Sequence, residues 1–477
     1  MPRKIYPQAE KPKFLQFRID TMKKSGICFL ERLRREMKLN VKRTVLIGFA
    51  FFSICAFWQM YNSVIPLMLT NTLHLDETIS GALMALDNVL ALFLLPFFGA
   101  LSDKCTHPWG KRMPFLVFGT VVAVGTMVFL PIIDNSAAEQ LHPWKIYVFV
   151  GVLLVVLVAM GTYRSPAVAL MPDLTPKPLR SKGNAIINLM GACGGIVYLL
   201  ITSVLYSKNR VGGLAHVNYL PLFLVVGAIM LVSVAIVFIT IKEPKLEQEF
   251  RAYEKNHPED NLSETDASGR EVLPAPVKRS LIFLLLSIAF WFLGYNAMET
   301  WFTTYAQAEW GMSLGEASQC LIVCTVGAIL SYIPSGQVAG RIGRKKTILI
   351  GILLLGGGFA LFVVWTLMGL GFSPALYVVM IVLGIGWAFI NVNSLPMVVE
   401  MCKGSDVGKF TGYYYTFSMA SQTVTPIVAG WLMGHVSYEA LFIYSTVAVG
   451  VSFITMQFVH HGDSHTIAKH GLEAFDE

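Results

Sequence analysis

The chain has 477 residues, 55% of them hydrophobic and only 14% charged, with a formal net charge of +7. A soluble protein carries about 25% charged residues, so this set cannot build a water-facing surface, and lipid must cover most of the chain. That excludes a soluble enzyme of about three domains, which the length alone would suggest.

In chain order, the first 43 residues are basic, with Ile27, Leu30, Leu33 and Met37 set among Lys and Arg. The segment reads equally as an interfacial amphipathic helix or as an unstructured basic tail. No cleavable signal is expected, because the first apolar run follows this segment and is too long for a signal core. Apolar runs of about 20 residues, enough to cross a bilayer, begin near Val45, Ser80, Pro114, Ile146, Gly183 and Tyr219. Six more begin near Ser280, Leu314, Thr347, Pro374, Phe410 and Tyr438. Backbone groups in lipid must bond one another, so the runs predict an all-α membrane protein of twelve transmembrane helices. They divide the chain into a six-helix bundle at 44–242, a charged, proline-containing linker at 243–279, a second bundle at 280–460 and a tail at 461–477.

Lys and Arg set the orientation. Of the 37, 33 fall before the first span, in the loops that close alternate hairpins, in the linker or in the tail. The opposite loops hold only Lys145, Lys208 and Arg210, and Arg164 lies inside a span. This bias predicts a multi-pass protein of the cytoplasmic membrane with both termini in the cytoplasm. The positive charge then sits against anionic lipid, and no nucleic-acid partner is implied.

The seven cysteines show no metal-ligand spacing and read as packing residues, including Cys320 and Cys324, one helical turn apart. The tail histidines His460, His461, His465 and His470 read as solvated. Gly191 and Gly195 form a pair suited to close helix packing. There is no phosphate loop, nucleophile elbow or zinc spacing, so neither enzymatic chemistry nor a cofactor or metal is expected.

The two sets of six resemble each other. The first span reads Ala56-Phe57-Trp58-Gln59-Met60-Tyr61-Asn62, and the seventh Ala289-Phe290-Trp291-Phe292-Leu293-Gly294-Tyr295-Asn296. After the second span come Gly99, Asp103, Gly110, Lys111 and Arg112; after the eighth come Gly336, Gly340, Gly343, Arg344 and Lys345. This doubled glycine–acid–basic pattern resembles the signature of the major facilitator superfamily. The resemblance implies two six-helix bundles around a central cavity that opens alternately to each side. It also marks these loop residues, with Asp173 and Glu400 at the ends of the fourth and tenth spans, as cytoplasmic gate or latch residues. Asp103 is expected to meet a helix N-terminus or an arginine.

Three ionisable side chains fall inside spans: Asp87, Arg164 and Glu299. Each costs about 2.5–3.5 kcal/mol at a helix centre, so they should face a wet cavity or one another. A buried ion pair that only locks the bundle is the bland reading; proton coupling is the functional one. Arg164 is then the charge partner of Asp87 or a donor to substrate.

The run Ser102-Asp103-Lys104-Cys105-Thr106, followed by Gly110-Lys111-Arg112 and Pro114-Phe115, is sharper than the general signature, as is Pro166 to Thr175. Both resemble the sucrose:proton symporters and the wider glycoside–pentoside–hexuronide:cation symporter group. Two departures stand out. Val168 occupies the place of an arginine in plant sucrose carriers, with Arg164 one turn earlier. Ala91 and Leu95 occupy the places of paired aspartates in the sodium-coupled melibiose type, which favours H+ over Na+ as coupling ion. The implied function is proton-coupled symport of a disaccharide or related glycoside, acting as a monomer. Gln59, Asn62, Asn88, Asn188, Asn296, Asn391 and Asn393 are candidates to bond hydroxyls; Trp58, Tyr61, Tyr295, Trp301 and Trp387 are candidates to stack on a sugar ring. An exporter of amphiphilic compounds and a non-transporting receptor or scaffold are the alternatives.

Overall fold

The computed structural model describes residues 40–175, 180–246, 248, 274–401 and 407–463. Most of the basic segment 1–43, of the linker 243–279 and of the tail 461–477 lies outside the described residues, as do Cys28 and Cys402. The spans belong to one compact unit.

Among the described residues every regular element is helical. α1 is Val41–Leu67, continued by a π turn, Met68–Thr72. α2 is Glu77–Asp103, and α3 is Met113–Met127 with, past Val128, Phe129–Glu139. α4 is Pro143–Asp173, α5 Arg180–Leu205 and α6 Leu220–Thr240. The second set is α7 Ala275–Trp310, α8 Leu314–Ile342, α9 Arg344–Leu367, α10 Ala375–Val399, α11 Val407–His435 and α12 Ala440–Gln457. Eleven of these are long and apolar enough to cross a membrane. The twelfth, α11, has 29 residues, about 43 Å at 1.5 Å per residue, and is richer in Gly, Ser, Thr and Tyr.

Local chemistry starts and stops the helices. Asp76 caps α2 by accepting from the Thr78 amide at 2.8 Å. Ser313 and Glu316 form a reciprocal capping box on α8. Gly311, with φ of 58°, ends α7 in the left-handed region. The largest fully buried side chains are aromatic, among them Trp291, Trp301, Tyr163 and Phe359, while Phe118, Leu353 and Val378 are exposed, as lipid-facing surface should be.

In the first half α2 and α3 pack on α4, and α3 on α6; in the second α8 and α9 pack on α10, and α7 on α11 and α12. The halves meet through α2 on α11 and α5 on α8. Among the described residues, four hydrogen bonds join them at the end opposite the basic loops. Tyr438 Oη donates to Glu77 Oε1 at 2.6 Å, and Asn71 Nδ2 to Gln307 Oε1 at 3.1 Å. Thr303 Oγ1 donates to the Ser63 carbonyl at 2.9 Å, and the Gly315 amide to the Tyr206 carbonyl at 3.0 Å. Backbones touch here: a Cβ on Gly81 would lie 2.0 Å from the Pro426 carbonyl oxygen, and one on Gly430 2.2 Å from that of Glu77. Toward the basic end α2 loosens, and Phe93 and Phe97 are 70% and 59% exposed.

Candidate functional site

A cavity of about 210 Å³ lies on the basic side of this seal, lined from both halves. Helical spacing places its walls. α1 supplies Trp58 and Asn62, four apart; α2 supplies Met84, Asp87 and Asn88; α4 supplies Arg164. α7 supplies Asn296, Glu299 and Thr300, and α11 supplies Gln422 and Pro426, again four apart. The three intramembrane charges of the sequence therefore share one space, as do Asn62 and Asn296, the residues matched in the repeat.

Their contacts leave chemistry unspent. Asn88 Nδ2 donates to Asp87 Oδ1 at 2.8 Å. The Arg164 guanidinium lies 5.6 Å from the centre of the Trp58 ring, a cation–π distance. Among the described residues no ion pair of 4.0 Å or less joins Arg164 to Asp87 or Glu299. Arg164, read from sequence as charge partner of Asp87 or donor to substrate, shares the cavity with Asp87 and is held over the Trp58 ring in this conformation. Asn296 is 5% exposed and its Nδ2, like Trp58 Nε1, has no hydrogen-bond partner among the described residues. Two unmet donors on a cavity wall call for acceptor oxygens from a ligand or from water. A smaller void beside it, lined by Asp87, Leu94, Gly161 and Arg164, adds about 10 Å³.

Other predicted residues lie elsewhere. Tyr61 is buried, with its hydroxyl 3.4 Å from the Met84 carbonyl. Gln59 faces α5, its Oε1 3.9 Å from where a Gly195 Cβ would stand. Tyr295 and Trp387 stack on each other, centroids 3.7 Å apart at 5°, so their facing surfaces are taken. Asn391 is exposed, and Asn393 donates to Ser335 Oγ at 2.9 Å. Sequence reasoning missed Met84, Thr300, Gln422 and Pro426; one turn of spacing, Met84 from Asp87, Thr300 from Asn296 and Gln422 from Pro426, is the signal they carry.

The predicted latch residues do assemble. Arg112 is buried, bonds Asp103 and Ser102, donates Nε–H to Asp173 Oδ2 at 2.8 Å, and reaches the Gly99 carbonyl at 3.3 Å. Lys111 Nζ lies 3.2 Å from the same Asp173 oxygen. In the second half Arg344 Nη1 meets Glu400 Oε1 at 2.7 Å. Lys345 Nζ donates to the Gln457 and Val459 carbonyls at 3.1 and 2.6 Å. Gly99 gives close approach, a Cβ there lying 3.1 Å from Ser165 Oγ, whereas a Cβ on Gly336 meets nothing within 4 Å. Asp103 meets an arginine, as its position suggested.

An acid unforeseen from sequence completes each latch. Glu243, just past α6, is 1% exposed and accepts the Lys111, Arg112 and Met113 amides at about 3.0 Å, capping α3. Burial raises its pKa, against the pull of those amides. Asp463, past α12, accepts the Lys345 amide at 3.1 Å, capping α9. Gly110 (φ 111°) and Gly343 (φ 93°) make the turns that let these carboxylates in.

Sucrose transport protein SUC3 of Arabidopsis thaliana is 28% identical over 139 residues, 26% of this chain and 23% of that protein. An isoprimeverose transporter of Lactiplantibacillus pentosus is 21% identical over 310 residues, 62% of this chain and 59% of that protein. The match thus spans less than two thirds of either relative. The crystal structure of a D-xylose-proton symporter, 15% identical, shares the fold with a TM-score of 0.63 over 88% of this chain and 98% of that one. The family model of the Major Facilitator Superfamily matches residues 47–330 and 306–472, nearly the whole helical body, and the chain belongs to that superfamily.

Proposed function

We propose that the protein is a secondary active transporter that couples entry of a disaccharide or related glycoside to a proton, by alternating access. The carrying observation is the cavity itself: two acids, one arginine, four amides and a tryptophan, shared between two halves that are sealed at one end. The names of the relatives, a sucrose transport protein and an isoprimeverose transporter, support a sugar as cargo. Asn62, Asn88, Asn296 and Gln422 suit hydroxyl groups, and Arg164 and Trp58 hold one wall. The positive-inside bias orients the basic loops to the cytoplasm, so the seal is extracytoplasmic and this conformation faces inward. Asp87 is the coupling acid. A carboxyl that alternates between a wet cavity and a dry one takes a proton on one side and gives it up on the other. One charge crossing 100 mV yields about 2.3 kcal/mol and one pH unit about 1.4, together more than 100-fold of concentrating power.

The test is transport by protein in liposomes, following luminal pH while sucrose, maltose and isoprimeverose are added outside. Expected is acidification with at least one glycoside, lost in Asp87→Asn. Silence with every glycoside, under both proton and sodium gradients, sinks the sugar reading and brings forward export of amphiphilic compounds.

A further inference from the structure

A second buried acid lies apart from the cavity. Asp134, in the last turns of α3, has no exposed surface, and among the described residues neither carboxylate oxygen has a hydrogen-bond partner. An ionised carboxyl cannot persist there alone. The groups around it come from every neighbouring element. His216, in the loop between α5 and α6, sets Nε2 3.5 Å from Oδ2. Thr72, the last residue of the π turn ending α1, faces the carboxyl outside hydrogen-bonding geometry. Tyr219, at the start of α6, is buried beside it and packs on Tyr206 of the adjoining loop. Lys145 of α4 spends its ammonium on the Ser136 and Gln140 carbonyls at 2.7 Å each, and Glu139 is exposed.

Hydrogen bonding fixes the His216 tautomer. The Leu220 amide donates to Asn218 Oδ1 at 2.9 Å, and so does Asn135 Nδ2. Asn135 Oδ1 is left as acceptor, so His216 Nε2, 2.9 Å away, carries the hydrogen. Nδ1 has no hydrogen bond among the described residues, and the ring is 26% exposed. Burial holds the imidazole below the ordinary histidine range.

We propose that Asp134 and His216 together form a second proton-binding site, outside the central cavity, whose occupancy keeps the extracytoplasmic seal closed. A proton from water enters at Nδ1, and the imidazolium, its Nε2–H still on Asn135 Oδ1 at 2.9 Å and 3.5 Å from Asp134 Oδ2, neutralises the carboxylate. With one proton, on either partner, the pair is neutral and stays buried. Without it a buried carboxylate remains, and states that hydrate it are favoured. The π turn is the link: Thr72 faces Asp134, while its neighbour Asn71 bonds Gln307 across the seal. Such turns are rare and gather at functional sites. A site that seals when loaded suits a carrier that takes protons from outside. The inference rests on the alternating-access reading and its orientation, not on the cargo or on Asp87.

The test is hydrogen exchange of the full chain in lipid nanodiscs between pH 5 and 8, corrected for intrinsic rates, read on peptides spanning 68–76 and 303–315. The native seal should lose protection as pH rises. Asp134→Asn should stay protected throughout, and His216→Gln should move the midpoint down by half a unit or more, because one of two places for the proton is gone. Asp87→Asn should keep the native response even where it abolishes uphill transport. A native response in Asp134→Asn, a midpoint that stays or rises in His216→Gln, or a response lost in Asp87→Asn overturns the proposal. Should Asp134→Asn fail to fold, the exposed-loop variant His216→Gln decides alone.

Discussion

The two halves build the same latch from different charges. In each, an acid past the sixth helix caps the third, Glu243 on α3 and Asp463 on α9. In each, the first cation after the glycine meets the acid ending the fourth helix, Lys111 with Asp173 and Arg344 with Glu400. They part at the next residue. Arg112 turns inward to Asp103 on α2 and Asp173 on α4, while its counterpart Lys345 turns to carbonyls at the end of α12. The reason is visible one helix back: Gly340 stands where Asp103 stands, and it offers no carboxylate. The cavity repeats the asymmetry, with Asp87 and Arg164 in the first half where Cys324 and Asn391 stand in the second. One half handles charge, and the other, with Glu299 as its single cavity acid among the described residues, supplies mostly neutral wall from Asn296, Thr300, Gln422 and Pro426.

The sharpest way to break this comparison is at the cavity. Arg164→Ala should cut proton-driven uptake about 100-fold, close to 2.8 kcal/mol, because it strands two acids in a shared space. Asn391→Ala, at the repeat-related position, should stay within about threefold, since Asn391 is exposed and away from the cavity. Initial uptake rates in the same liposomes check both. Equal losses would mean that the halves share the work evenly.

Next in size is the latch. Removing a buried partner from an ion pair costs about 3–5 kcal/mol, but Asp103 and Asp173 are 60% and 25% exposed, so Arg112→Ala should cost about 2. Lys345→Ala loses contacts to carbonyls at a half-open end and should cost about 1. Thermal unfolding in nanodiscs ranks them, and the reverse order would show that the α12 tether, not the acid on α2, secures the loop.

How much of this was legible in the sequence follows from what each signal measures. Apolar run length is a direct readout of bilayer thickness, and the helices begin within five residues of the predicted starts. The repeat brought Asn62 and Asn296 to one cavity because matched positions in two bundles sit at matched depths. Charge inside a span is costly enough that Asp87, Arg164 and Glu299 could be picked out singly. Neutral residues carry no such cost, so Gln422 and Thr300 were invisible among many polar side chains of α11 and α7. Residue type likewise could not say that Tyr295 and Trp387 spend their faces on each other. Glu243 read as the first residue of a charged linker, because sequence does not show which amides a carboxylate will find.

That glutamate gives the smallest and most specific prediction. Its carboxylate accepts three amides at the start of α3, yet burial outweighs them and its pKa lies above the ordinary 4.5. The folded state then binds a proton at Glu243 more tightly than the unfolded chain does. Its contribution to stability is full below pH 4.5 and is lost as pH rises through the raised value. Glu243→Gln is uncharged at every pH, so the native protein should lose stability relative to it across that window, by about 1 kcal/mol or less, and hold a constant difference above it. Unfolding of the two proteins at matched pH values reads the slope. A difference that grows in favour of the native chain as pH rises would mean that the three amides win over burial, and that the cap on α3 is strongest when it is charged.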